Sequence, residues 1–125
     1  MVPAINSEGL KDRTKRFALT VIRLCRIVQP SQEGRIITRQ LLRSATSVAA
    51  NYRAVCRARS KAEFIARMGI AAEEVDEAVL WLELLTESGI VKVEMTEGLL
   101  KEAKELAAIL TASLQTAKKD GVTRF

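Results

Sequence analysis

The chain has 125 residues, of which 48% are hydrophobic and 4% aromatic, so it can form one domain around a single core. It contains no histidine and two cysteines, which removes the commonest general base and metal ligand and leaves a zinc site short of ligands. No apolar run approaches the ~18 residues of a membrane span, and no secretory signal is visible. We therefore expect a cytoplasmic protein without a membrane segment, a cofactor or a bound metal.

The net charge of +5 is unevenly distributed along the chain. Residues 1–60 carry twelve Lys and Arg against three Asp and Glu, whereas residues 61–125 carry eight against twelve. The first part is therefore at +9 and the second at −4. Two explanations fit this split. The two parts pair with each other, within the fold or across subunits, or the surplus positive charge faces a polyanion.

Apolar residues at helical spacing predict four helices in chain order. Ser31 is a favoured N-cap for the second helix. Ser60 and Glu63 form a capping-box pattern at the start of the third, and Gly89 is suited to end it. The predicted ranges are about 10–29, 32–59, 61–87 and 96–119, with residue 94 as an alternative start of the last helix.

Helices of about 20 to 28 residues joined by short loops predict an all-α fold, an antiparallel up-down-up-down four-helix bundle. Residues 1–125 are predicted to form a single domain, because the chain has no internal repeat, low-complexity tract or second core. Cys25 and Cys56 both fall at apolar-face positions, so each is predicted to be a buried free thiol in a reducing compartment.

Residues 35–59 contain six arginines and no acidic residue. At about 100° per residue, five of them share a stripe about 80° wide on the second helix. This arginine row consists of Arg35, Arg39, Arg43, Arg53 and Arg57. Guanidinium groups match phosphate in geometry and charge. The row is therefore a phosphate-binding surface, a solvated face, or a partner for acids of the third helix.

The third helix is apolar in nearly every direction between residues 79 and 85, which indicates burial on all sides. A four-helix monomer should leave each helix a wet face, so we predict that Leu80, Trp81 and Leu84 contact another subunit, with Trp81 as the anchor. The alternative is that the fourth helix and the 90–95 linker cover this end of the helix.

Catalytic chemistry is not indicated anywhere in the chain. No Ser or Cys can have a His partner, and no glycine-rich phosphate loop is present, so we expect no catalytic residues and no enzyme. Glu73, Glu74, Asp76 and Glu77 pair with arginines of the second helix, stay solvated, or hold a hard cation. An enzyme would require that unusual carboxylate site.

Three stretches carry a family resemblance: residues 41–53 (LLRSATSVAANYR), 58–64 (ARSKAEF) and 81–85 (WLELL). They resemble the bacterial four-helix bundle proteins grouped with the 23S rRNA intervening-sequence proteins. The resemblance implies an antiparallel bundle, commonly a homopentamer with a basic surface, a ribosomal protein-like or RNA-binding role, and no catalytic residues. It also implies that Arg43, Ser47 and Asn51 are structural and link the second helix to acids of the third.

A similar fold occurs in accessory proteins of diversity-generating retroelements, which form pentameric barrels that bind nucleic acid and a reverse transcriptase. We therefore expect a non-enzymatic homo-oligomer that binds RNA or another nucleic acid by backbone charge and shape. Few aromatic residues are available for base stacking, which argues against sequence-specific reading of single strands. The candidate phosphate contacts are Lys15, Arg16, Arg23, Arg26, Arg35, Arg39, Arg53 and Arg57. The alternative is a protein-interaction scaffold whose basic face docks an acidic protein, such as a reverse-transcriptase-type enzyme.

Overall fold

The fold is built from four long helices connected by short turns. The structure is a computed structural model that describes residues 7–120. The helices are α1 (Ser7–Ile27), α2 (Gln32–Cys56), α3 (Lys61–Glu87) and α4 (Val93–Asp120), and no strand occurs within the described range. Each helix packs against the next along the chain, and α1 and α4 close the bundle through a smaller interface. The chain is therefore an all-α, antiparallel up-down-up-down four-helix bundle, as predicted.

The helix ends differ from the predicted ones by up to three residues: 7–27 against about 10–29, 32–56 against 32–59, and 93–120 against 96–119. The second helix ends early because Ser60 has an extended backbone, with φ −152° and ψ 161°, when it caps α3. The chain must leave the helical conformation before that residue. The N–H of Arg57 therefore bonds to the carbonyl of Ala54, three residues earlier, at 3.1 Å.

Serine hydroxyls cap the two central helices. Ser31 Oγ accepts from the N–H of Gly34 at 2.9 Å, and Ser60 Oγ accepts from the N–H of Glu63 at 3.0 Å. The return bond expected of a capping box is displaced by one residue, because the Glu63 carboxylate accepts from the N–H of Arg59 at 2.9 Å. Both caps satisfy backbone donors that the first helical turn leaves unpaired.

The α3–α4 connection turns at Gly89, whose φ of +81° is the left-handed conformation that glycine adopts without strain. Val91 follows it into the core, and its N–H bonds to the carbonyl of Leu85 at 3.2 Å. The hydroxyls of Thr86 and Thr96 share a hydrogen bond of 2.7 Å between the two helices. This end of the bundle is therefore closed by both apolar and polar contacts.

The core consists of aliphatic side chains from all four helices. Fully buried alanines let neighbouring helices approach closely, and they include Ala45 on α2, Ala71 and Ala78 on α3, and Ala103 on α4. Phe17 and Tyr52 are also in the core, at 2% and 3% exposure. They are the only aromatic residues of α1 and α2, so neither helix presents an aromatic ring to the outside.

Two glycine-to-alanine substitutions should have opposite effects on stability. We expect Gly98→Ala to raise the free energy of unfolding by about 0.5–1 kcal/mol, since alanine favours helix and a Cβ there meets nothing within 4 Å. Gly34→Ala should lower it by about 1 kcal/mol, because the added Cβ would lie 2.7 Å from Ser31 Oγ and displace the cap. Urea denaturation measures both values. Equal stabilisation by the two substitutions would contradict this account of the cap.

Candidate nucleic-acid interface

Seven of the eight predicted phosphate contacts lie on the outer faces of α1 and α2, Arg57 directly follows the end of α2, and all eight are exposed. Cys25 Sγ lies 3.7 Å from the carbonyl oxygen of Thr38, so the C-terminal half of α1 runs beside the N-terminal half of α2. This alignment divides the eight cations into two groups. The turn cluster lies near the α1–α2 connection and contains Arg23, Arg26, Arg35 and Arg39. The distal cluster lies at the other end and contains Lys15, Arg16, Arg53 and Arg57.

A strip whose only charged side chain among the described residues is the ion-paired Arg43 separates the two clusters. The distance from Arg35 to Arg53 along α2 is about 27 Å at the helical rise. The exposed side chains between the clusters are Leu19 and Thr20 on α1, and Leu42, Arg43, Thr46 and Ala50 on α2, where Arg43 is ion-paired to Glu74 and Glu77. The outer surface of α1 and α2 therefore presents two patches of unpaired positive charge. They are about 21 Å apart along α2, from Arg39 to Arg53, and about 10 Å apart along α1, from Arg16 to Arg23.

Among the described residues, acidic partners are nearly absent from this surface. Arg16 Nε lies 2.7 Å from Asp12 Oδ2 one helical turn away, an exposed pair of a kind that contributes about 0.3–0.5 kcal/mol. The other seven cations form no ion pair with any residue of the range 7–120. Within the arginine row, pairing with acids of α3 is therefore restricted to Arg43.

Arg43 is the neutralised member of the row. Its Nη1 donates to Glu74 Oε2 at 3.0 Å, and its Nη2 donates to Glu77 Oε2. Ser47 Oγ donates to Glu74 Oε2 at 3.2 Å and accepts from Asn51 Nδ2 at 3.0 Å. These contacts form a polar network that joins α2 to two carboxylates of α3.

The network shifts the pKa values of Glu77 and Arg43 in the directions expected for paired charges. The hydrogen bond from Arg43, followed by that from Trp81 Nε1 at 3.1 Å, lowers the pKa of Glu77. Hydrogen bonds to Glu74 and Glu77 raise the pKa of Arg43. Glu74 is only 16% exposed, and its Oε1 is buried without a hydrogen-bond partner among the described residues. A carboxylate in that position depends on Arg43 for compensation of its charge.

A second arginine contact joins α1 to α4, and the sequence analysis missed it. Arg13 donates from Nε to Glu102 Oε2 at 2.9 Å and from Nη2 to Glu102 Oε1 at 2.7 Å, a bidentate pair, and from Nη2 to Glu105 at 3.2 Å. The bond to Glu102 is the largest cause of the raised pKa of Arg13. One signal was available: helical spacing places Arg13 at the edge of the apolar stripe of α1 rather than opposite it.

The α3 residues predicted to contact another subunit are partly exposed to solvent. Leu80 is 46% exposed and Leu84 39%, whereas Trp81 is half-buried. Their neighbours Leu82 and Leu85 are fully buried in the core. The fourth helix and the linker before it therefore cover one side of this segment and leave Leu80 and Leu84 in contact with solvent.

Within the described range, no group of three or more His, Cys, Asp or Glu side chains is arranged to hold a metal ion. No described helix is both long enough and apolar enough to cross a membrane. Both cysteines are free, but only Cys25 is partly buried. The prediction of a buried thiol was wrong for Cys56, which is exposed because it is the last residue of α2, where the chain turns away.

A sequence model of the 23S rRNA-intervening sequence protein family matches residues 10–112. The chain belongs to this family. The match includes all eight candidate cations, the Arg43 network and the exposed leucines of α3. No curated protein matches the chain.

A solved member of the S23 ribosomal protein family has the same bundle. It is a protein of unknown function from Bacteroides thetaiotaomicron VPI-5482, 30% identical in sequence with a TM-score of 0.81. The similarity covers 89% of this chain and 99% of that protein. The bundle of this 23S rRNA-intervening sequence family protein is therefore shared with a solved relative over nearly its whole length.

Replacing Arg43 with glutamine should lower the free energy of unfolding by about 1–2 kcal/mol near neutral pH, because Glu74 then stays buried without its partner. Arg39→Gln is the matched control. It lies one turn away without an acidic partner, and should change stability by less than about 0.5 kcal/mol. Urea denaturation provides both values, and equal losses in the two variants would contradict the role of Arg43.

The effect of Arg43→Gln should also depend on pH. The pKa of Glu77 is lowered in the folded protein. Its contribution to stability is therefore present above its ordinary pKa and is lost as pH falls through the lowered value. We expect the stability difference between wild type and Arg43→Gln to shrink as pH falls from about 7 to about 3. A difference that stays constant over this range would argue against an ionised contact.

Proposed function

We propose that this protein is a non-enzymatic nucleic-acid-binding bundle that contacts the phosphate backbone through the outer faces of α1 and α2. The observation that carries the proposal is the set of seven exposed cations that have no acidic partner among the described residues. Like charges held together repel one another, which costs folding free energy. A polyanion removes this repulsion and supplies the missing partners.

The choice of cation also supports phosphate as the ligand. Seven of the eight candidate contacts are arginine, whereas α4 carries four lysines and no arginine, with glutamates among them. A purely solvated face has no need for guanidinium over ammonium. Phosphate does, because the planar group donates two parallel hydrogen bonds to it.

RNA is the nucleic acid we propose first, because the family is described by its association with 23S rRNA intervening sequences. With no aromatic ring presented by α1 or α2, recognition rests on backbone charge and shape. The protein would act in the cytoplasm, where its two free thiols stay reduced.

Self-association is a second part of the proposal, and the exposed leucines of α3 favour it. Leu80 and Leu84 lie one helical turn apart beside the half-buried Trp81, which could complete an apolar contact with another copy. By resemblance to the family we propose a homo-oligomer, a ring of five. The alternative function is a protein-interaction scaffold in which the basic face docks an acidic protein partner such as a reverse-transcriptase-type enzyme.

The binding proposal predicts that RNA affinity falls steeply as salt concentration rises, and that the arginines cause this dependence. Removing four phosphate contacts should reduce the log–log salt slope by about 3 to 4 for each engaged subunit. The test variant changes Arg35, Arg39, Arg53 and Arg57 to glutamine. The control carries the same four-charge reduction on the opposite side of the bundle, as Lys92→Gln, Lys101→Gln, Lys118→Gln and Lys119→Gln.

Fluorescence anisotropy with nucleic-acid-free protein gives both slopes. The proposal requires the control slope to stay close to that of wild type while the arginine variant flattens. Equal flattening would indicate a response to net charge alone. No binding by wild type near physiological salt would overturn the proposal and leave the basic face to an acidic protein.

The assembly proposal predicts that charge on α3 breaks the oligomer. Leu80→Glu with Leu84→Glu should release monomers at micromolar concentration, because burying two unpaired carboxylates opposes association. Ala108→Glu with Ala112→Glu is the control, with the same spacing on the exposed face of α4. Light scattering measures the mass. A wild-type monomer, or an unchanged oligomer in the leucine variant, would contradict this interface.

A further inference from the structure

The outer surface of α1 and α2, called here the α1–α2 face, lacks certain side chains, and their absence indicates which class of nucleic acid it binds. Surfaces that bind single strands combine positive charge with aromatic rings on which unpaired bases stack, and each stacked base contributes about 1–3 kcal/mol. Here Phe17 and Tyr52 are buried in the core, and the other described aromatics, Phe64 and Trp81, belong to α3. The face therefore offers cations to phosphates and no aromatic ring to the faces of bases.

The spacing of the clusters adds an independent constraint. The turn cluster and the distal cluster are separated by a strip in which Arg43 is neutralised by Glu74 and Glu77, and about 27 Å of rigid helix lies between Arg35 and Arg53. A ligand that engages Arg35 and Arg53 at once must present phosphates at both ends of this span. A flexible strand loses conformational freedom when it is held straight across the strip, whereas a duplex is already stiff over this length.

We propose that the ligand of the α1–α2 face is a double-stranded nucleic acid, which lies as a rod across both clusters. This inference rests on the proposed function and adds the ligand class to it. At about 3.4 Å per base pair, the span corresponds to roughly 8 base pairs of B-form duplex. The exposed Leu19 and Leu42 face the ligand between the two contact points and carry no charge. Each cluster would hold one phosphate patch, and neither would read sequence.

A long duplex must then contact both clusters at once, whereas a short duplex contacts one cluster at a time. The variants are Arg35→Gln with Arg39→Gln for the turn cluster, and Arg53→Gln with Arg57→Gln for the distal cluster. All four positions are exposed, and none forms an ion pair within residues 7–120, so both variants should unfold at the wild-type urea concentration. That measurement separates a binding defect from a folding defect.

The experiment compares three RNA probes at one salt concentration: a duplex of about 16 base pairs, its isolated single strand, and a hairpin with a stem of about 5 base pairs, shorter than the span. We expect the long duplex to bind at least about tenfold more tightly than either other probe. Either cluster variant should weaken the long duplex about tenfold and leave the short hairpin within about threefold. A DNA duplex of equal length distinguishes the two sources of double-stranded ligand.

The failures of the two proposals are distinguishable. Equal affinity for the single strand and the long duplex would overturn the duplex inference while leaving nucleic-acid binding intact. A short hairpin that binds as tightly as the long duplex would overturn the two-cluster geometry. If none of the probes binds near physiological salt, the proposed function itself fails, and the duplex inference fails with it.

Discussion

The ion-paired network around Arg43 is the contact on which the surface of this molecule depends. The second helix carries a row of arginines, and Arg43 lies between its two ends. Glu74 and Glu77 of α3 neutralise this guanidinium. Ser47 donates a hydrogen bond to Glu74 and accepts one from Asn51. Together with the core, the network sets the rotation of α2 about its own axis. The remaining four arginines of the row are exposed, and none of them forms an ion pair with a described acid of α3.

Much of the fold follows from local features of the sequence, and the parts that do not are tertiary. The helices follow from apolar spacing, and Ser31 and Ser60 cap the helices that they were predicted to cap. The early end of α2 was missed because it depends on the backbone conformation that the next cap requires. The contact of Arg13 with Glu102 joins residues 89 positions apart, and no pattern within either helix specifies which neighbour α1 meets.

In the candidate site, too, some features follow from the local sequence and others depend on tertiary packing. Helical periodicity is enough to place the arginine row on one face, and the exposure of its members agrees with that placement. The grouping into two clusters is different, because it requires the relative alignment of two antiparallel helices. On α3, periodicity could not distinguish Leu80 from Leu82, because the helix is apolar all round. Only the packing of α4 and the linker exposes the first and buries the second.

The first helix has the smallest total interface of the four, and its seam with α4 is closed by Arg13. It also supplies half of the cations on the basic face. A nucleic-acid duplex bound across α1 and α2 would hold α1, the helix with the smallest interface, against α2 and so suppress local opening of the bundle. Salt screens the ion pairs of Arg13 with α4 and would screen the proposed phosphate contacts in the same way. Ionic strength would thereby couple the stability of the closed bundle to its affinity for such a ligand.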